Sequence, residues 1–286
     1  MKYAHLISSV YGRPWCITPE AGRSISAQFT AWLNGRLTGV PRSFGGFDDD
    51  EEEEEATAQT TGLPYALNGS TAVIPVSGII GKRLGFFESA CGGCDLDSVT
   101  SALTHAVGNA SVSAIVLDFD TPGGTVTGVL EAANAIAKAD ESKPVYGWSE
   151  TQCCSAGYWL ASQCRSFATT ETAIIGSIGV YMAVMDDSEA WANEGLKQNL
   201  MKAGEFKATG MPGIPFSETD RNRLQAEVER IYGLFTSSVI QGRGKVSADT
   251  MQGQTFMGMD GPGLNLTDGV ATDLNEFIGL ISPQQV

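Results

Sequence analysis

Between residues 70 and 180 the chain alternates two hydrophobic rhythms. Continuous apolar runs fall at Ala72–Ile80, Val112–Phe119 and Val145–Trp148, and each reads as a strand. The second run has almost no polar position, as expected of a strand buried on both faces. Pro75 places the first at an edge or an end. Between the runs the apolar residues recur at three and four. Val99, Leu103 and Ala106 define a helix capped by Asp97 and ending near Gly108. Val126, Val129, Leu130, Ala133, Ile136 and Ala137 define a second helix, and a third begins at Tyr158. Successive strand–turn–helix units of this size imply parallel strands joined by right-handed crossovers. Their turns then gather at the carboxyl ends of neighbouring strands, where open α/β sheets hold ligands.

The flanks are less regular. Ile25, Phe29, Trp32 and Leu33 mark a helix after Pro19 that is too short to carry a core alone. Further strands are expected near Phe167–Thr169 and over Ala173–Val180, a helix over Asp187–Glu194, and an extended segment from Lys197 to Lys207. Ser217-Glu218-Thr219-Asp220 resembles a capping box and opens a long helix carrying Leu224, Val228, Ile231, Phe235 and Val239. From Gln254 onward short elements and turns follow. The organisation expected is a leader segment at 1–44, an acidic disordered linker at 45–69, one α/β domain at 70–281 and a tail at 282–286.

Charge sharpens that division. Of the net charge of −15, the run Asp48–Glu55 supplies eight, leaving −7 elsewhere. Like charges with nothing apolar to offset them stay solvated. No basic stripe exists to follow a phosphate backbone, so nucleic acid is not an expected partner. No apolar run is long enough for a signal core or a membrane span. Six cysteines are too few for a disulfide framework at this length, which points to a reducing compartment. Cys91-Gly92-Gly93-Cys94 would be half a zinc site, but no second pair follows and His5 and His105 are the only histidines, so no metal is expected. Cys153, Cys154 and Cys164 are expected to pack as small hydrophobes.

Candidate chemistry sits in two of the turns. Asp120-Thr121-Pro122-Gly123-Gly124 offers glycine amides that can face a developing negative charge, and Cys153-Cys154-Ser155-Ala156-Gly157-Tyr158 offers a serine at a helix start. Together they read as an oxyanion hole and a nucleophile. A serine hydroxyl needs a neighbouring base. His5 precedes the acidic run, and His105 lies on the helix feeding the opposite end of the strand, so a Ser-His-Asp triad is disfavoured. A Ser-Lys pair remains, with a lysine partly buried to weaken its hold on its proton. Physics alone does not choose among the lysines.

Asp-Thr-Pro-Gly-Gly at 120–124, Cys-Ser-Ala-Gly-Tyr at 154–158, Gly-Ser-Ile-Gly-Val at 176–180 and Gly-Glu-Phe-Lys at 204–207 resemble, in order and spacing, the SppA-type (protease IV) serine peptidases. The nearest branch looks like the head maturation (capsid assembly) proteases of lambda-like tailed phages. The similarity spans about residues 70–281. It implies a ClpP/crotonase-like spiral of β-β-α units. It also implies Ser155 as nucleophile, Lys207 as general base, Ser177 as the residue orienting the lysine, and an oxyanion hole from Gly124, Ala156 and the adjoining Gly123. No cofactor is implied. The expected function is a Ser-Lys endopeptidase acting on scaffold, portal or its own chain, as a homo-oligomer, in the host cytoplasm and within the procapsid. The alternatives are a crotonase-type acyl-CoA enzyme and a structural assembly factor. Where the family runs from a glycine through a short helix to Gly-Leu-Val-Asp, this chain has Gly258-Met259-Asp260-Gly261-Pro262-Gly263 and only later Gly269-Val270-Ala271, which should break that helix and alter the C-terminal packing.

Overall fold

Each of the long buried strands is followed by a short one that leaves the main sheet, and this repeat fixes where the functional turns lie. The computed structural model describes residues 13–33, 63–84 and 92–281, with side chains up to residue 27 in the first of these. The expected leader before residue 13, the acidic run, Cys91 and the tail from residue 282 lie outside the described residues. Two compact units are present. The larger comprises residues 16–179 and 235–281, and the smaller comprises residues 13–15 and 180–234.

In the larger unit, β3 (Thr71–Ser77), β6 (Ala114–Asp120), β8 (Val145–Ser149), β10 (Ser166–Thr169) and β13 (Gly269–Val270) run parallel. β2 (Ala66–Asn68) adds antiparallel to β3, completing a six-stranded sheet. Residues 66–68 therefore belong to the sheet although the sequence places them in the linker. β2 pairs only with Thr71–Val73, so Pro75 lies beyond its end, where a missing N–H costs no ladder bond.

The short strands β4 (Ile79–Gly81), β7 (Gly123–Thr125), β9 (Gln152–Cys154) and β11 (Ile174–Gly176) form two smaller sheets. One has the order β1-β7-β4-β5, with β1 at Trp15–Ile17 and β5 at Gly93–Asp95, and the other is β12-β11-β9, with β12 at Thr255–Met257. After β1 comes α1 (Pro19–Leu33), the helix expected after Pro19. The units are thus β3-β4-α2, β6-β7-α3 and β8-β9-α4, where α2 is Leu96–Gly108, α3 is Val129–Asp140 and α4 is Ala156–Ala161. This is the ClpP/crotonase-like spiral of β-β-α units.

Departures from the sequence reading have local causes. The run 72–80 divides at Gly78, whose φ of 90° turns the chain and where a Cβ would sit 1.8 Å from the Gly92 carbonyl oxygen. Asp95, not Asp97, caps α2 by accepting from the Asp97 N–H, while the Asp97 carboxylate pairs with Lys82 at 2.6 Å. α3 starts at Val129 because Gly123–Thr125 continue as a strand. Gly128, with φ 85°, makes the turn into the helix.

Side-chain alternation on β6 and β8 sorts the core into two layers. On one face Val116 and Trp148 meet Phe277 and Ile278 of α7 (Leu274–Ile281), with the Trp148 and Phe277 rings stacked at 5.3 Å. On the other, Phe119 meets Phe167 edge-on at 6.2 Å, and a Cβ on Gly147 would stand 2.9 Å from the Phe167 ring. α7 was not expected from the sequence. Burying Phe277 and Ile278 contributes roughly 2 kcal/mol each.

The glycine-rich segment 258–263 forms two consecutive 3-10 turns, and the chain still reaches β13 and α7. Gly258 and Gly261 are required there, since a Cβ would stand 2.0 Å from the Thr170 carbonyl oxygen and 2.4 Å from Thr267 Oγ1. Beyond them β13 pairs with β10, and α7 packs on Val116 and Trp148.

α6 (Glu218–Arg243) ends in the larger unit, where Phe235 stacks on Trp159 at 4.6 Å. Its last residue, Arg243, donates to Asp268 Oδ2 at 2.7 Å, and Asp268 also accepts from the Phe167 N–H at 2.7 Å. Burial alone would raise the Asp268 carboxyl, but the Arg243 bond, the Phe167 N–H and the Arg243 charge together outweigh it and hold the group below the usual carboxylate range. Its stabilisation is therefore present above the unfolded-state value and lost as pH falls through the depressed folded one. Asp268→Ala would leave the Arg243 side chain, only 6% exposed, unpaired. The expected cost is about 2 kcal/mol at pH 7, below that of a fully buried pair because Asp268 is half-exposed. Chemical denaturation at pH 7 and pH 3 should show the difference from wild type shrinking at the lower pH.

In the smaller unit, Ser217 and Asp220 form the expected capping box. The Ser217 Oγ accepts from the Asp220 N–H at 3.1 Å, and Asp220 Oδ2 accepts from the Ser217 N–H at 3.4 Å. α5 (Ser188–Asn193) matches its expectation, with Asp187 accepting from Trp191 Nε1 and the Gly213 N–H. The segment 197–207 is not a strand. It has no regular structure and passes into turns, because its polar residues bond locally, as when Lys202 Nζ donates to the Glu205 carbonyl at 2.6 Å. No described helix is long and apolar enough to cross a membrane.

Candidate active site

β9 and β11 run parallel with Cys154 opposite Gly176, so the residues just past their ends, Ser155 and Ser177, emerge side by side. The two are joined through the Ser155 N–H, which donates to the Gly176 carbonyl at 2.8 Å. Both have left-handed backbone, with φ of 53° and 51°, which costs a non-glycine residue about 1–3 kcal/mol. Ser155 has ψ −115° and stands immediately before α4, a sharp strand-to-helix turn of the kind that presents a nucleophile. Its side chain is fully buried, and among the described residues its Oγ has no hydrogen-bond partner. A strained serine with an unused buried hydroxyl is poorly explained by stability and well explained by chemistry.

The glycine turn faces this serine. A Cβ on Gly123 would lie 2.9 Å from Ser155 Cβ, so the Gly123 backbone rests directly against Ser155. Its φ of 105° also demands glycine. Gly124 is pressed on β4, where a Cβ would be 2.0 Å from the Ile80 carbonyl oxygen. The Gly123 N–H donates to Thr121 Oγ1 at 3.1 Å and is thus engaged within the turn. Ala156 opens α4, and the first amides of a helix have no intrahelical acceptor.

Residues not singled out from the sequence hold this geometry. Thr121 Oγ1 donates to the Gly78 carbonyl at 2.6 Å, the Thr121 N–H donates to Gln152 O, and the Cys154 N–H donates to Thr121 O, tying β6 to β9. Gly157 must lack a side chain, since a Cβ would be 2.3 Å from Thr121 Cγ2. Gln254 accepts from the Ser177 N–H at 2.8 Å. Tyr158 donates to the Leu266 carbonyl at 2.8 Å, anchoring α4. In the sequence Thr121, Gly157 and Tyr158 were visible as members of Asp-Thr-Pro-Gly-Gly and Cys-Ser-Ala-Gly-Tyr, and nothing marked Gln254.

The cysteines flanking Ser155 are inert thiols. Burial, then the charge of Glu20, pushes Cys154 up to about 12, and burial raises Cys153. Cys164 and Cys94 are also buried, the latter pushed up to about 11. No group of three metal-ligating side chains occurs among the described residues.

Three basic groups of the larger unit are committed elsewhere. Lys82 pairs with Asp97, Lys143 donates to the carbonyls of Ala106 and Asn109, and His105 Nδ1 meets the Tyr65 hydroxyl at 3.1 Å. Lys207 belongs to the smaller unit, exposed, in the turns at 203–210. There its N–H donates to the Gly204 carbonyl at 3.3 Å. The segment is fastened to α6 by Arg223 over the Phe206 ring at 4.8 Å and by Thr209 to Asp220.

Comparison with known proteins identifies the class. Residues 137–275 match the model for peptidase family S49. The head-tail preconnector protein GP5 of Enterobacteria phage P21 is 26% identical over 273 residues, covering 93% of this chain and 54% of that protein. The capsid assembly protease C of Escherichia phage lambda is 33% identical over 175 residues, 61% of this chain and 40% of that protein. Protease 4 of Haemophilus influenzae is 26% identical over 222 residues, 75% and 34% respectively. The chain thus spans about half or less of the length of these relatives. A solved enoyl-CoA hydratase/isomerase family member overlaps 72% of this chain and 68% of its own at 16% identity with a TM-score of 0.40, too loosely to add to the topology above.

The strain at Ser155 makes a direct expectation. Ser155→Gly should relieve the left-handed backbone and, after the greater freedom of glycine when unfolded, raise stability by about 1 kcal/mol relative to Ser155→Ala. Thermal melts of the two variants test this, and equal midpoints would show that the backbone there is unstrained.

Proposed function

We propose that this protein is a serine endopeptidase using Ser155 and Lys207 as a dyad, acting on capsid-assembly proteins during head maturation. The observation that carries the reading is Ser155 itself, held in strained backbone with a buried, unpartnered hydroxyl against the Gly123-Gly124 turn. Lys207 takes the Ser155 proton as Oγ attacks the peptide carbonyl, and the tetrahedral oxyanion is received by the N–H groups of Gly124 and Ala156. Collapse expels the amine, which takes the proton from Lys207, and leaves an acyl-enzyme. Water activated by the same lysine then releases Ser155. Ser177 orients Lys207. The name of the phage lambda relative, a capsid assembly protease, supports capsid-assembly proteins as the substrate class. Within that class we propose scaffold, portal or the chain itself as substrates, cleaved by a homo-oligomer within the procapsid.

The fold alone would equally serve an acyl-CoA enzyme, since fold does not fix chemistry. Such an enzyme has no need of a strained serine between β9 and α4. Incubation with a candidate scaffold or capsid protein, comparing wild type with Ser155→Ala and Lys207→Ala, tests the proposal, and cleavage that persists in both variants would exclude the dyad.

A further inference from the structure

Within the larger unit, the chain's own residues 16–18 lie across the nucleophile. β1 is hydrogen-bonded to β7, the short strand that begins with Gly123 and Gly124. The Thr18 N–H donates to the Pro122 carbonyl at 2.9 Å. The Cβ position on Gly123 that stands 2.9 Å from Ser155 Cβ is also 2.2 Å from the Cys16 carbonyl oxygen and 3.0 Å from Ile17 Cα. The side of Gly123 on which a side chain would project is therefore closed by both Ser155 and the Cys16–Ile17 peptide group. Cys16, Ile17 and Thr18 are all buried, and so is Ser155. Glu20, one turn further on, is close enough to act on the Cys154 thiol.

We propose that residues 16–18 occupy the seat of a substrate's backbone, so that the N-terminal strand is a built-in competitor masking Ser155. The proposal rests on Ser155 being the nucleophile. Extended peptides add to exposed strand edges through main-chain bonds, with pockets for side chains giving selectivity. The edge of β7 is the edge that leads into the hole, and it is filled by this chain's own extended segment. The same seat names the kind of substrate. It takes an extended, uncharged segment, with a small residue where Cys16 is fully enclosed and an aliphatic one where Ile17 is buried. A competitor tethered in the same chain is present at high effective concentration, so external substrate enters only when the strand leaves.

The test reads accessibility at residue 155 without relying on catalysis. In the full chain carrying Ser155→Cys, alkylation of the introduced thiol by iodoacetamide is followed by peptide mass spectrometry. Cys154 serves as an internal control that stays slow while the fold is intact. Adding Ile17→Asp, which puts a carboxylate at a buried position, or Thr18→Pro, which removes the N–H bonded to Pro122, should each speed labelling by about tenfold or more, because labelling follows the open fraction. A synthetic peptide of residues 13–20 with serine in place of Cys16 should slow it again. Equal labelling with and without these substitutions, with Cys154 still protected, would overturn the mask. Failure of the peptide to protect would overturn the seat. Hydrolysis of a protein substrate by the Ile17→Asp chain, with Ser155 intact, separates the two ideas. If labelling accelerates but no hydrolysis appears, the peptidase reading fails while the seat stands.

Discussion

Replacing Ser155 by alanine should reduce kcat/KM by about 10⁴-fold or more, to what oriented binding and the hole alone provide. The structure makes this an unusually clean experiment. The Ser155 hydroxyl has no hydrogen-bond partner among the described residues, so its removal strands no donor or acceptor. Alanine keeps the Cβ that touches Gly123 and keeps the backbone at φ 53°. The melting temperature should stay within a degree or two of wild type, so lost activity cannot be attributed to lost fold. Quantitative cleavage of a protein substrate, followed on gels alongside thermal melts, measures both. Retention of more than a few per cent of the rate would mean that Ser155 does not attack the peptide. Because residues 16–18 reduce access in wild type, the comparison is sharper in the Ile17→Asp background, where a larger starting rate widens the measurable loss.

What the sequence revealed of this site follows from the range of the forces involved. The buried strands around Val116 and Trp148 were legible because continuous apolar runs report burial on both faces. The turns at Gly123-Gly124 and Ser155 were legible because glycine and a helix-start serine mark abrupt changes of direction. The short strands β7 and β9 were not, since three residues carry no period. Their omission shifted the start of α3 to Val126, three residues early. The resemblance singled out Ser177, but only the register of β9 on β11 shows why it accompanies Ser155. Two equivalent positions of paired parallel strands both end in a residue of positive φ.

The placement of Cys16 and Ile17 was the least legible of all. Nothing in Trp15-Cys16-Ile17 marks a strand, and its partner β7 lies more than a hundred residues away. Thr121 was read as part of a turn, whereas its hydroxyl and backbone fasten β6, β7 and β9 at one point, with Gly157 left bare to admit its methyl group. Contacts of this kind depend on which chain ends the topology brings together. Local composition does not encode them.

Lys207→Ala should lower the rate by about 10²- to 10⁴-fold, the range expected for loss of a general base. Lys207→Arg is the more informative variant. It preserves the positive charge and the stacking of its neighbours Phe206 and Arg223, yet a guanidinium stays protonated in proteins and cannot accept the serine proton. If Lys207 acts as the base, arginine should be as inactive as alanine. If its role is only to attract substrate by charge, arginine should restore most of the rate with KM near wild type. Ser177→Ala, acting only through the lysine, should cost less than either. Cleavage at the wild-type rate in Lys207→Ala would assign the base to another residue.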